Sequence, residues 1–138
     1  MAMSPEQIIQ FVDDLYAATG IGDFDKAAEM LTDDFFITEA DPLPMAGVYR
    51  GKYALRDLFD KVMDMVDVAG LDRVQTTAGG DYAVTILSFR FADPALAPAE
   101  LCELFRFRDG KCCEIKPFYF DPGQFIAAAE ARKAAATA

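Results

Sequence analysis

One carboxylate, Glu103, sits between Leu101-Cys102 and the run Leu104-Phe105-Arg106-Phe107. A charge in so apolar a strand is costly to bury, so it is either turned to water or kept for chemistry. Burial raises its pKa. A neutral carboxylic acid in a dry pocket can then donate a hydrogen bond to a developing oxyanion. The rival role is a Glu paired with Lys116, Arg106 or a pocket hydroxyl, with no turnover. Tyr119 is a second candidate on the same surface, able to donate its hydroxyl to a ligand or to satisfy it within the core.

The chain contains no histidine. That removes the commonest general base and the usual Ser–His and Cys–His pairs. Acid–base chemistry must then use Asp, Glu, Tyr, Lys or Cys. The three cysteines, Cys102, Cys112 and Cys113, form neither a disulfide framework nor a zinc ligand set. Cys113 reads as a small buried hydrophobe. The expected chemistry therefore needs no metal and no cofactor.

The register of the surrounding hairpin decides where Glu103 points. Two strand-like runs flank Asp109-Gly110, a turn signal. With a three-residue loop, Arg108-Asp109-Gly110, Gly110 forms a bulge and Glu103 faces Ile115. One surface then carries Leu101, Glu103, Phe105, Phe107, Cys113, Ile115 and Tyr119. With a two-residue loop, Glu103 instead joins Lys116 on a polar face. The first register separates apolar from polar side chains better, and register follows that separation.

Other elements must hold this hairpin. Ser4-Pro5-Glu6-Gln7 is a helix start, followed by Ile8, Phe11, Val12 and Leu15 at helical spacing. Gly20 and Gly22 stop that helix. Asp23 caps a short second helix with Phe24, Ala27, Ala28 and Leu31 on one face; Asp33-Asp34 breaks it, and Phe35 to Ala40 reads as a strand. Residues 41–51 read as a loop. A third helix is expected from about Lys52 to Ala69, with Leu55, Leu58, Phe59 and Val62 in its buried stripe. Its acidic row, Asp57, Asp60, Asp64 and Asp67, reads as a solvated face. Strands follow over Leu71 to Ala78 and Asp81 to Phe91, joined at Gly79-Gly80. After the Glu103 hairpin, Asp121-Pro122-Gly123-Gln124 starts a C-terminal helix whose Ala-rich tail, about 127–138, should fray. Phe118 and Phe120 would lie outside the sheet, at a dimer interface or beneath the C-terminal helix.

At 138 residues the chain makes one domain, 1–138, with enough mass for a core. Hydrophobic residues make up 53%, yet no apolar run is long enough to span a membrane. The net charge of −10 argues against nucleic acid and against anionic lipid surfaces as partners. The start, Met1-Ala2-Met3-Ser4, lacks a basic region and an apolar region, so no signal peptide is expected and the cytoplasm is the default location.

Several motifs taken in order resemble the nuclear transport factor 2-like superfamily, in its SnoaL-like and ketosteroid isomerase-like branch. They are Tyr16-Ala17-Ala18, Gly22-Asp23-Phe24-Asp25, Leu31-Thr32-Asp33-Asp34-Phe35, Tyr49-Arg50-Gly51-Lys52 and Leu104-Phe105-Arg106-Phe107-Arg108-Asp109-Gly110-Lys111. The resemblance implies an α+β fold: a cone-shaped, curved antiparallel sheet wrapped on three N-terminal helices, with a short C-terminal helix. It also implies a deep apolar pocket and a homodimer. In the isomerase branch a strand acid and a first-helix tyrosine form an oxyanion hole, and a carboxylate just after the first strand moves the proton. Glu103 falls on the strand acid, and Glu39 or Asp41 on the proton-transfer position. Leu15 aligns with the tyrosine; Tyr16 lies one residue further, about 100° around the helix. The epoxide hydrolase branch needs an Arg-x-Asp pair, but Arg90 is followed by Ala92 at that spacing. Polyketide cyclases share the strand acid, yet many rely on a histidine absent here.

The expected ligand is an apolar small molecule, polycyclic or polyketide-like. Glu39 or Asp41 would act as base, and Glu103, with Tyr16 or Tyr119, would stabilise an oxyanion. Phe105, Ile115, Leu101, Val12 and Phe59 are the expected apolar contacts. The alternative is a non-catalytic ligand-binding or dimerisation module of the same fold.

Overall fold

The computed structural model describes residues 2–137. Its elements in order are α1 (Pro5–Gly20), α2 (Phe24–Met30), β1 (Leu31–Glu39), β2 (Gly47–Arg50), α3 (Ala54–Met65), β3 (Val68–Gly79), β4 (Tyr82–Phe91), β5 (Ala99–Arg108), β6 (Lys111–Tyr119) and α4 (Gly123–Thr137). Ser4 closes a full capping box on α1: its hydroxyl accepts from the Gln7 N–H, and the Gln7 side chain accepts from the Ser4 N–H. Asp23 caps α2 through the Lys26 N–H. Asp121 accepts from the Gly123 N–H at the start of α4.

The strands form one unclosed sheet in the order β2-β1-β6-β5-β4-β3. It is mixed, not antiparallel as expected: β1 and β6 run parallel, with Ile37 opposite Ile115. After β1 the chain makes its hairpin with β2, crosses through α3 to the far edge at β3, and returns strand by strand. β6 then arrives beside β1 in the same direction. Bulges interrupt β1–β6, β3–β4 and β5–β6, and bulges bend a sheet. Helix α1 packs on β3 and β4, and α3 packs on β1 and β2. Among the described residues, no helix is long and apolar enough to cross a membrane.

Several boundaries differ from the sequence expectation, each for a physical reason. Asp33 and Asp34 do not break the chain between two elements; they lie inside β1, exposed, where a carboxylate can point to water. The expected loop 41–51 contains β2, a short strand on β1 whose glycine-flanked sequence carries little strand signal. Helix α3 ends at Met65 because Val66 is already extended (φ −140°), and Ala69 and Gly70 belong to β3. The β3–β4 turn is Gly80-Asp81, since Gly79 pairs with Tyr82. Gly80 has φ +57° at the first central position, as a II′ turn requires. Phe118 and Phe120 stay 55% and 84% exposed, so α4 does not cover them. The segment 127–137 is helical throughout.

Both registers weighed for the Glu103 hairpin are corrected. The turn has two residues: Arg108 pairs with Lys111, and Asp109 and Gly110 both have positive φ (54° and 78°), the signature of type I′. A bulge then intervenes. Phe107 pairs with Cys112 but Arg106 with Glu114, leaving Cys113 as the extra residue. That one-residue shift places Phe105 opposite Ile115, Glu103 opposite Pro117 and Leu101 opposite Tyr119. Glu103 thus shares a sheet face with Phe105 and Ile115, both buried. It reaches the inner surface through the bulge and not through a longer turn.

Candidate active site

The inner face of the sheet and the helices enclose a cavity of about 450 Å³. Small-molecule sites typically span roughly 300–1,000 Å³. The floor is β1, β3, β4, β5 and β6. The wall is the C-terminal half of α1 together with α3, and Phe125 of α4 closes one side.

Glu103 enters from β5. Its carboxylate Oε1 accepts a 2.5 Å hydrogen bond from the Tyr16 hydroxyl of α1. The exposure it keeps is toward the cavity it lines. Burial raises its pKa, and the Tyr16 hydrogen bond opposes that rise. Tyr16 is pushed far above its ordinary value, first by burial and then by the charge of Glu103 and the hydrogen bond to it. The Tyr16 ring also packs edge-on against Phe105, with centroids 5.7 Å apart.

Glu39 ends β1. Strand alternation puts Phe35, Ile37 and Glu39 on one face, and all three are buried. Glu39 is only 5% exposed, lines the cavity, and its Oε1 has no hydrogen-bond partner. Burial, and then the charge of Glu103, push its pKa up to about 8. Because Glu103 is itself pushed toward its neutral form, burial is the part of that shift independent of the neighbour's charge. Tyr119 of β6 lines the same space. Its pKa is raised by burial first and then by the charges of Glu39 and Glu103.

Of the residues singled out in the sequence, Glu103, Glu39, Tyr16, Tyr119, Phe105, Ile115, Leu101 and Phe59 meet at this cavity. Two do not. Asp41 lies past the end of β1 in an exposed turn, leaving Glu39 as the cavity carboxylate of that pair. Val12 is fully buried in the core, because α1 borders the cavity only from Leu15 onward. Phe59, expected in a buried stripe, is 40% exposed and stands beside Phe24 with ring centroids 5.4 Å apart.

Sequence reasoning missed Arg73, Thr85 and Phe125. Arg73 borders the cavity with its guanidinium 4.7 Å from the Tyr16 ring centroid, and it donates to Asp13 at 2.8 Å. Thr85 is fully buried and pairs directly with Glu103 across the β4–β5 ladder. Phe125 packs on Phe89, Phe91 and Tyr119. The alternation Ala83, Thr85, Leu87, Phe89, Phe91 along β4 could have marked Thr85 as inward-facing. No local pattern marks Arg73. Glu39 and Glu103 are the carboxylates available to a cation here, and among the described residues no group of three His, Cys, Asp or Glu side chains is placed to hold a metal ion.

A bent six-stranded sheet carrying helices over a lined cavity is the build of nuclear transport factor 2-like proteins. The structure matches an NTF2-like protein from Burkholderia xenovorans LB400 with a TM-score of 0.78 and 23% identity, covering 93% of this chain and 99% of that one. It matches TerC, co-crystallised with polyporic acid, with a TM-score of 0.73 and 15% identity over 90% and 98% of the two chains. A putative polyketide cyclase from Sinorhizobium meliloti matches with a TM-score of 0.63 and 18% identity over 79% and 94%. At these identities the likeness is one of fold. Among curated proteins none matches the sequence significantly. The chain belongs to the SnoaL-like family, whose domain model matches residues 12–115.

Proposed function

We propose that this SnoaL-like protein is a cofactor-free acid–base enzyme, an isomerase, cyclase or hydratase acting on an apolar small molecule. The observation that carries the reading is the Glu39 carboxyl: buried, unpartnered, and in the same cavity as the Tyr16–Glu103 pair. Two titratable groups with different surroundings in one apolar space are the arrangement that divides acid from base.

The chemistry follows from their protonation. Glu39 as carboxylate takes a proton from a carbon next to a carbonyl. The electron pair moves onto the carbonyl oxygen, and the neutral Glu103 carboxylic acid donates a hydrogen bond to that oxygen. Return of the proton at another carbon gives isomerisation; attack of the carbanion on a second carbonyl gives cyclisation. With Glu39 near 8, only about a tenth of it is ionised at pH 7, so the rate should climb with pH and level off above 8.

A thermal-shift panel of steroid, polyketide and terpenoid ketones tests binding. A ligand at about 100 times its Kd adds about 2.7 kcal/mol to the native state. Deuterium uptake next to the carbonyl of a bound ketone, followed by NMR, then tests chemistry. Wild type should exchange the position, and Glu39→Gln should slow exchange by about 10²–10⁴-fold. Binding with no exchange would leave a ligand-binding module and remove the enzyme.

The same fold supports a homodimer through the outer sheet face. Ile86, Cys102 and Phe118 form one cross-strand row there, and Ile86 and Phe118 are exposed. Light scattering should give twice the chain mass for wild type and the single-chain mass for Phe118→Asp. A wild-type monomer at micromolar concentration would end this part of the proposal.

A further inference from the structure

The hydroxyl of Tyr16 is already committed. It donates to Glu103 Oε1, and Thr85 is the direct neighbour of Glu103 across the β4–β5 ladder. Thr85 in turn shares a 2.8 Å hydrogen bond with Thr76, its direct partner on β3. Thr76, Thr85 and Glu103 stand side by side across three strands. The Thr76–Thr85 hydroxyl pair thus stands beside Glu103, one oxygen of which is filled by Tyr16. A phenol has one proton to donate, and this one is spent.

Two consequences bear on the site proposed above, and they rest on that reading. With Oε1 filled by Tyr16, the acid proton of a neutral Glu103 resides on Oε2. Tyr119 lines the same cavity, and among the described residues its hydroxyl has no hydrogen-bond partner. Tyr119 pairs with Leu101 across the β5–β6 ladder, which puts it on the same inner face as Glu103 and one same-face position along the strand from it.

We propose that the oxygen of the ligand is held by Glu103 Oε2 and the Tyr119 hydroxyl, and that Tyr16 is a positioning residue that never touches it. The ligand end that enters this corner is a neutral carbonyl or phenol. A carboxylate is refused, because its charge would be buried in an apolar space beside two carboxyls held toward their neutral forms, with no free cation among the described lining residues to pair with it. Arg73, the cation bordering the cavity, is engaged by Asp13 and lies over the Tyr16 ring.

The probe is 2-naphthol, with 2-naphthoate as its anionic counterpart, bound to the full chain and measured by calorimetry at pH 6. Tyr119→Phe should weaken naphthol binding about tenfold, the loss of one hydrogen bond to a buried polar group. Tyr16→Phe should weaken it less than threefold. It should instead raise the Glu103 titration, followed by the carboxylic-acid carbonyl stretch in infrared difference spectra, because the hydrogen bond that opposes the burial shift is gone. Naphthoate should bind at least tenfold more weakly than naphthol to wild type. The assignment is overturned if Tyr16→Phe costs as much naphthol affinity as Tyr119→Phe, if Tyr119→Phe binds like wild type, or if Tyr16→Phe leaves the Glu103 titration in place. Those results would leave the acid–base reading standing, since it is judged by deuterium exchange in the Glu39 variant.

Discussion

Wild-type protein is expected to lose stability steadily between about pH 5 and pH 8, and the Glu39→Gln variant is expected to lose much less. The folded-state pKa of Glu39 is raised to about 8 from an ordinary 4.5. Between those values the native protein holds a proton that the unfolded chain releases. Stability then falls with rising pH by up to 1.36 kcal/mol per pH unit. The contribution is fully present below pH 4.5 and fully lost once the pH passes 8. Integrated over the window, it amounts to no more than about 5 kcal/mol. For a domain of this size that is on the order of 10 °C in Tm. Gln cannot titrate, so this slope disappears from the variant. The buried amide lacks partners too, and that costs about 1–3 kcal/mol at every pH, which displaces the curve without tilting it. Self-repulsion of a chain with net charge −10 acts on both proteins alike, so the difference between the two curves isolates Glu39. Melting curves by circular dichroism from pH 5 to 9 supply the measurement. Parallel curves would mean that Glu39 is solvated.

Phe125→Ala is expected to cost about 3–5 kcal/mol, a large share of the 5–15 kcal/mol that holds a domain together. Phe125 has no exposed surface, touches three aromatic rings and is one of only two buried residues in α4. Much of the rest of that helix is Ala-rich and exposed; besides the small Ala128 and the Arg132 bonds to the Met63 and Val66 carbonyls, Phe125 is its main apolar anchor. Its loss should also open the cavity it lines and admit bulkier ligands. Urea unfolding reads the first effect, and a shift of the thermal-shift panel toward larger ketones reads the second. A cost below 1 kcal/mol would show that α4 does not close the cavity.

Much of this architecture is legible in residue order, and the exceptions are instructive. Helix α1 announces itself through Ser4-Pro5-Glu6-Gln7 because a capping box is a local device, complete within four residues. The inward orientation of Glu103 is also legible, because burial drives register. The route to it is not. A two-residue I′ turn followed by a bulge at Cys113 gives the same inner face as a three-residue turn, and nothing in Lys111-Cys112-Cys113-Glu114 marks where the extra residue falls. The parallel pairing of β1 with β6 depends on a long crossover, which no short window of sequence contains.

The site divides in the same way. Glu39 and Asp41 have the same strand phase, so alternation alone cannot choose between them; the end of β1 at Glu39 does. Tyr16 lies one residue beyond the aligned position, yet it reaches Glu103 because both Leu15 and Tyr16 border the cavity at the end of α1. Alternation along β4 can turn Thr85 inward, but nothing local sets it beside Glu103, and no local pattern marks Arg73. Only the ladder pairing Thr76–Thr85–Glu103 and the packing of α1 on β3 bring them there.

Central to the proposed chemistry is a Glu39 carboxyl only 5% exposed in the cavity, with no protein partner among the described residues to stabilise its charge. Carbon-13 NMR of the glutamate side-chain carboxyl carbons, assigned to Glu39 by the missing signal in Glu39→Gln, reads its titration directly. A midpoint near 8 is the predicted result. A midpoint near the ordinary 4.5 would place that carboxylate in water and remove the proposed base.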